Sequence, residues 1–137
     1  MNKWKTIMWK ETLPINCPPD NAIELEIEVF RILINENPND EDFKVYAKMY
    51  PDNPRYKDVC KAYALSFYNS LNGAKKTYLN SKERGNDIGN YIGSYLLIKD
   101  HGKHILNNES GHINTWFYNT WNLDVFNPQA VVEINED

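Results

Sequence analysis

The stretch His112-Ile113-Asn114-Thr115-Trp116-Phe117 alternates as a β-strand does, with His112, Asn114 and Trp116 on one face and Ile113, Thr115 and Phe117 on the other. Just before it, YIGSYLLIKD and KHILNN read as a hairpin over residues 91–107, turned at Asp100-His101-Gly102. A further apolar run, Ala130 to Ile134, predicts a terminal strand. The C-terminal half is therefore built mainly of strands.

The N-terminal half is mixed. Asn21 to Glu28 alternates Ile23, Leu25 and Ile27 with glutamates, the period of a half-buried strand or of an extended approach to one. Val29 to Ile34 follows as an apolar central strand interrupted by Arg31. Asn39 or Asp40 caps a helix whose core side carries Phe43, Val45, Tyr46 and Met49, and Pro51-Asp52-Asn53-Pro54 ends it. Val59 to Phe67 reads as a strand, or as a strand preceded by a turn. A second short helix from about Ser70 to Leu79 turns Leu71, Ala74 and Tyr78 to one side, and 81–90 is the most flexible-looking stretch. Strand, helix, strand, helix and then several strands predict an α+β fold: one compact domain with a mixed or mainly antiparallel sheet and two short helices. Residues 1–20 form an extended arm and 133–137 an acidic tail.

Size and composition agree with one domain. The chain has 137 residues, long enough to bury a core without disulfide or metal staples, and is 42% hydrophobic and 13% aromatic. A net charge of -4 and the lack of a long basic run make nucleic acid an improbable partner, because phosphate neutralisation supplies most of that affinity. Cys17 and Cys60 stand apart, without clustered His or Cys, so no metal site is expected and the pair reads as buried free thiols. The lysine-bearing start, MNKWKTIMWKETL, has neither a signal-peptide core nor a membrane span. A cytoplasmic protein is the expectation.

Three residues are candidates for chemistry. Arg31 could hold a phosphate or carboxylate in its bidentate fork, or pair with Glu24, Glu26 or Glu28. Ser66 ends a strand ahead of a capped helix, although no Gly-x-Ser-x-Gly elbow surrounds it. His112 adds a titratable ring, with Trp116, Phe117 and Tyr63 as aromatics to receive a flat ligand. His101 and His104 are placed at the hairpin tip, in solvent.

The succession Cys17-Pro18-Pro19-Asp20, Phe30-Arg31-Ile32-Leu33, Asn37 to Phe43, Ala64-Leu65-Ser66-Phe67, Ala74-Lys75-Lys76 and His112 to Phe117 resembles a family of small, functionally uncharacterised bacterial proteins. At fold level the layout is also similar to compact ADP-ribosyltransferase-like domains. Those carry an Arg or His on an early strand, a Ser or Tyr on a middle strand and often a Glu on a late one, around a cleft for NAD. The resemblance implies Arg31, Ser66 and His112 as the catalytic set, with NAD as cofactor. This chain departs from it at Ala64, where a glycine is expected, and at His112, where an acid is expected. Two functions follow: a nucleotide-binding domain, transferase-like or degenerate, or a non-enzymatic module that binds a protein partner through Trp4, Trp9, Trp116 and Trp121.

Overall fold

The computed structural model describes residues 8–134. Its core element is a six-stranded antiparallel sheet with β1 at Ile27–Leu33, β2 at Leu65–Tyr68, β3 at Tyr91–Leu97, β4 at Gly102–Leu106, β5 at His112–Phe117 and β6 at Ala130–Glu133. The strand order is β4-β5-β2-β1-β3-β6, so β1 is central. The fold is α+β, as the order of apolar segments implies.

The expected 91–107 hairpin does not form. β3 pairs along its whole length with β1 and offers its other edge to β6, while β4 pairs with β5 at the far end of the sheet. Four strand spacings of about 4.8 Å would separate β3 from β4 in a flat sheet, roughly 19 Å. The link from Leu97 to Gly102 reaches only about 17 Å when fully extended, and it contains a 3₁₀ turn at Lys99–His101. The sheet must therefore curve around its core. Phe126 bears this out, because its ring touches Tyr95 of β3, Phe67 of β2 and Phe117 of β5. Gly102 permits the tight start of β4, where a Cβ would run into the carbonyl oxygen of Trp116. Gly111 turns the β4–β5 connection at φ 77°, in the left-handed region.

The inner face packs Val29, Leu33, Phe67, Tyr95, Leu97, Ile113 and Phe117 against Phe43, Trp121 and Phe126. Two smaller clusters cover the outer face. One lies under α2 (Leu71–Glu83), whose Ala74 and Tyr78 pack on Ile92, Phe30 and Ile32. Ser70 caps this helix by accepting from the Gly73 N–H at 3.0 Å, and the helix runs a turn past Leu79 before Gly85 takes a positive φ. The other cluster joins Trp116, Ala64 and Ala22 to Trp9 and Leu13 of the arm.

Three further corrections follow. The helix expected after Asn39 breaks into a 3₁₀ turn at Asp40–Phe43 and a single helical turn α1 at Tyr46–Met49, because Lys44 and Val45 are extended. Phe43 and Val45 enter the core, whereas Tyr46 and Met49 face outward. Cys17 and Cys60 are not free thiols: their Cα atoms lie 5.5 Å apart and they form a disulfide. The arm folds back over Trp116 and so brings together two positions 43 residues apart in sequence. His104 is not at a solvent-exposed tip but fully buried in β4, and His101 is half-buried with its ring edge-on to Phe126 at 5.2 Å.

Ile23 belongs to the extended approach to β1 rather than to a strand of its own, exchanging backbone hydrogen bonds with His104 on the β4 edge. No helix among the described residues is long and apolar enough to cross a membrane. Trp4 and most of the acidic tail lie outside the described residues.

Candidate functional site

β1 and β2 are in register at one pair only, Phe30 with Tyr68, and then part company. Arg31 fills the opening. Its Nε and Nη2 donate to the Asp42 carbonyl at 2.9 and 2.7 Å, and its Nη1 donates to the Ser66 carbonyl at 2.7 Å. The guanidinium lies over Phe43 at 5.2 Å and Phe67 at 5.6 Å. Burial pulls its pKa down to about 10, partly opposed by Asp42, so it stays charged at neutral pH. Arg31 therefore neither grips a free anion with an unoccupied fork nor pairs with Glu24, Glu26 or Glu28. It is a strut between main chains.

The Asp42 carboxylate is buried and serves the same frame. It accepts from the backbone N–H of Ile34 at 2.6 Å and of Asn39 at 3.0 Å, and from the Asn35 side chain at 3.0 Å. A carboxylate with this many donors locks the end of β1 to the 3₁₀ turn. The turn in turn sets α1 at the mouth of the opening.

What results is a cleft of about 770 Å³, lined by the end of β1, the 3₁₀ turn, α1, the 53–56 loop, the start of β2 and the 84–88 loop. That volume falls within the range of small-molecule sites. Tyr56 stacks with Tyr46 at 5.6 Å and with Tyr50 at 5.7 Å, at interplanar angles of 17° and 29°. Arg55 lies over the Tyr56 ring at 5.7 Å. Tyr46 and Tyr50 remain 50% and 47% exposed, which leaves ring surface free for a ligand. Lys44, Arg55 and Arg84 line the cleft with Glu41 and Asp87, so its cations outnumber the exposed acids although the whole chain is acidic.

Ser66 also lines the cleft, and its Oγ lies 2.9 Å from His112 Nε2. Burial lowers the His112 pKa, and the nearby Lys61 ammonium lowers it further. The ring is neutral at pH 7 and can accept the serine proton. The Tyr68 ring meets it edge-on at 5.5 Å. The structure thus brings Arg31, Ser66 and His112 into one connected set, Arg31 through the Ser66 main chain and His112 through its side chain.

The expected aromatic partners lie elsewhere. Trp116 is 1% exposed and donates from Nε1 to the Cys60 carbonyl at 3.2 Å. Phe117 stacks on Trp121 at 4.1 Å in the inner core. Neither ring has a face to offer a ligand. Tyr63 is half-buried against both clusters and donates its hydroxyl to the Lys57 carbonyl. Sequence reasoning missed the Tyr46, Tyr50 and Tyr56 stack. Its signal was the spacing of Tyr46, Met49 and Tyr50, which periodicity assigns equally to a core face or an open one.

No group of three or more His, Cys, Asp or Glu among the described residues could hold a metal ion. Comparison with protein-family models, with curated proteins and with solved structures finds no match to this chain.

Proposed function

We propose that this protein binds a nucleotide-like ligand, a flat ring joined to phosphate, in the cleft beside α1. NAD or an ADP-ribose analogue is the ligand class, and the site is a degenerate relative of an ADP-ribosyltransferase centre. The observation that carries the reading is the tyrosine stack with open outer rings, set in the same cleft as Lys44, Arg55 and Arg84. Rings of this kind accept a base by stacking, and the cations complement phosphate.

The transferase acid is the weak member. Glu109, the acidic residue next to the β5 strand in sequence, lies exposed on the turn between β4 and β5 and not in the cleft. Binding without ADP-ribosyl transfer is therefore the reading preferred. In the cytoplasm expected from the sequence, the thiol pool would keep Cys17 and Cys60 reduced, whereas an oxidising compartment keeps the arm tied.

The alternative is a protein-binding module anchored by tryptophans, of which Trp4 lies outside the described residues. Trp116 and Trp121 are core residues with little surface to offer a partner, and the Trp9 ring meets Tyr118 at 5.0 Å, tilted by 41°.

Calorimetric titration with NAD, ADP-ribose, AMP and uncharged adenosine tests the proposal. The phosphorylated ligands should bind, adenosine far less. Tyr46→Ala should weaken binding by about 1–3 kcal/mol, the usual worth of one stacked base. Absence of binding by every nucleotide would end this reading.

A further inference from the structure

The Ser66–His112 pair is a constellation that ligand binding does not require. A serine hydroxyl is a poor nucleophile unless a base adjoins it, and an imidazole nitrogen at 2.9 Å is such a base. The two residues sit diagonally across neighbouring strands: Ser66 is opposite Asn114, and His112 is opposite Tyr68. Paired strands hold side chains more tightly than loops do. The Ser66 main chain is fixed further by the Arg31 Nη1–H donated to its carbonyl, and the His112 N–H donates to Ser110 Oγ at 3.2 Å.

We propose that Ser66 is a nucleophile activated by His112, and that it attacks the electrophilic phosphorus of an anionic ligand held in the cleft. The choice of phosphorus rests on the cleft reading above, because Lys44, Arg55 and Arg84 would neutralise a phosphoryl group. The reactivity of the serine does not rest on it. Burial and the Lys61 charge both keep His112 unprotonated, and Tyr68 is the other titratable group against the ring. In the productive tautomer His112 carries its proton on Nδ1 and leaves Nε2 free to accept.

In the step, the Ser66 Oγ–P bond forms as the bond from phosphorus to the leaving oxygen breaks. The Oγ proton passes to His112 Nε2, and the imidazolium returns it to the leaving oxygen. Ser66 is left as its phosphoryl ester.

A fluorophosphonate probe reports this chemistry without any nucleotide. Attack at its phosphorus expels fluoride and leaves a stable adduct, read by intact mass and peptide mapping. Wild-type protein should gain one adduct, at Ser66. Ser66→Ala should gain none, and His112→Gln should label at least about a hundredfold more slowly, the usual scale of general-base loss. Circular dichroism checks that both variants are folded, and the wild-type mapping stands without them. No adduct, an adduct elsewhere, or equal labelling in His112→Gln overturns the proposal. Nucleotide titration of Ser66→Ala separates the two readings. Binding without labelling of the wild type leaves the cleft and removes the nucleophile, whereas labelling without nucleotide binding does the reverse.

Discussion

Arg31 shows how a charged residue in an apolar strand can be structural without an ion-pair partner at its side. Its three donated hydrogen bonds replace the ladder that β1 and β2 stop making beyond Phe30 and Tyr68. Arg31→Met keeps the volume and removes the donors, leaving the Asp42 and Ser66 carbonyls unpaired. Urea denaturation should show a loss of roughly 2–4 kcal/mol, since an unsatisfied buried polar group costs about 1–3 kcal/mol. Arg31→Lys should rescue little of it, as an ammonium cannot reproduce the fork. The presence of Arg31 in the strand was legible in the sequence, but its partners were main-chain atoms of Asp42 and Ser66, which no side-chain pattern announces.

His104 makes a second prediction of the same kind. It is fully buried, its Nδ1 meets Thr115 Oγ1 at 2.9 Å, and burial, with His101 adding to it, lowers its pKa from 6.5 to about 4. Between those values the unfolded chain binds more protons than the folded one, so stability falls as pH drops from 6.5 towards 4. The loss is on the order of 3 kcal/mol. Denaturation midpoints measured across that window should slope downward, and His104→Gln should remove most of the slope. His101 and His112, also lowered by burial, contribute with the same sign.

Among the elements, strands were easier to read than their partners. β1, β5 and β6 stand close to where alternation and apolar runs put them, whereas β3 and β4, consecutive in sequence and so expected to pair, lie four strand positions apart. Pairing depends on curvature of the whole sheet, which local periodicity does not encode. The split of the first helix has the same origin, because the Asp42 frame, not propensity, decides where the chain turns. The disulfide ties the arm to the 3₁₀ turn at Cys60–Tyr63, directly over Trp116. Loop closure across 43 residues contributes about 4 kcal/mol in the chain-entropy treatment. Cys17→Ser should therefore lower the thermal midpoint clearly, and a reductant should do the same to the wild type while leaving the variant unchanged. Equal midpoints with and without reductant would show that the bond is absent.

The molecule as a whole carries a net charge of -4, yet it gathers Lys44, Arg55 and Arg84 around one cleft together with three stacked tyrosines. Such a local reversal of charge beside open ring faces suits a ligand that is both flat and anionic. Of the expected site residues, Arg31 and Ser66 line this cleft, and His112 reaches it only through its 2.9 Å contact with Ser66 Oγ; Arg31 was legible because it broke the apolar pattern of its strand. The ring-binding surface was not legible. Trp116 and Phe117 stood out by their chemistry but went to the core, whereas Tyr46 looked like core and faced outward, beside an equally open Tyr50. Titrating isotope-labelled protein with ADP-ribose while following its NMR resonances locates the ligand. Shifts should concentrate on Tyr46, Tyr50, Tyr56, Arg55 and Arg84 and leave the indole of Trp116 unmoved. A spectrum that does not change, or shifts gathered around the arm and Trp9 instead, would contradict a nucleotide site in the cleft.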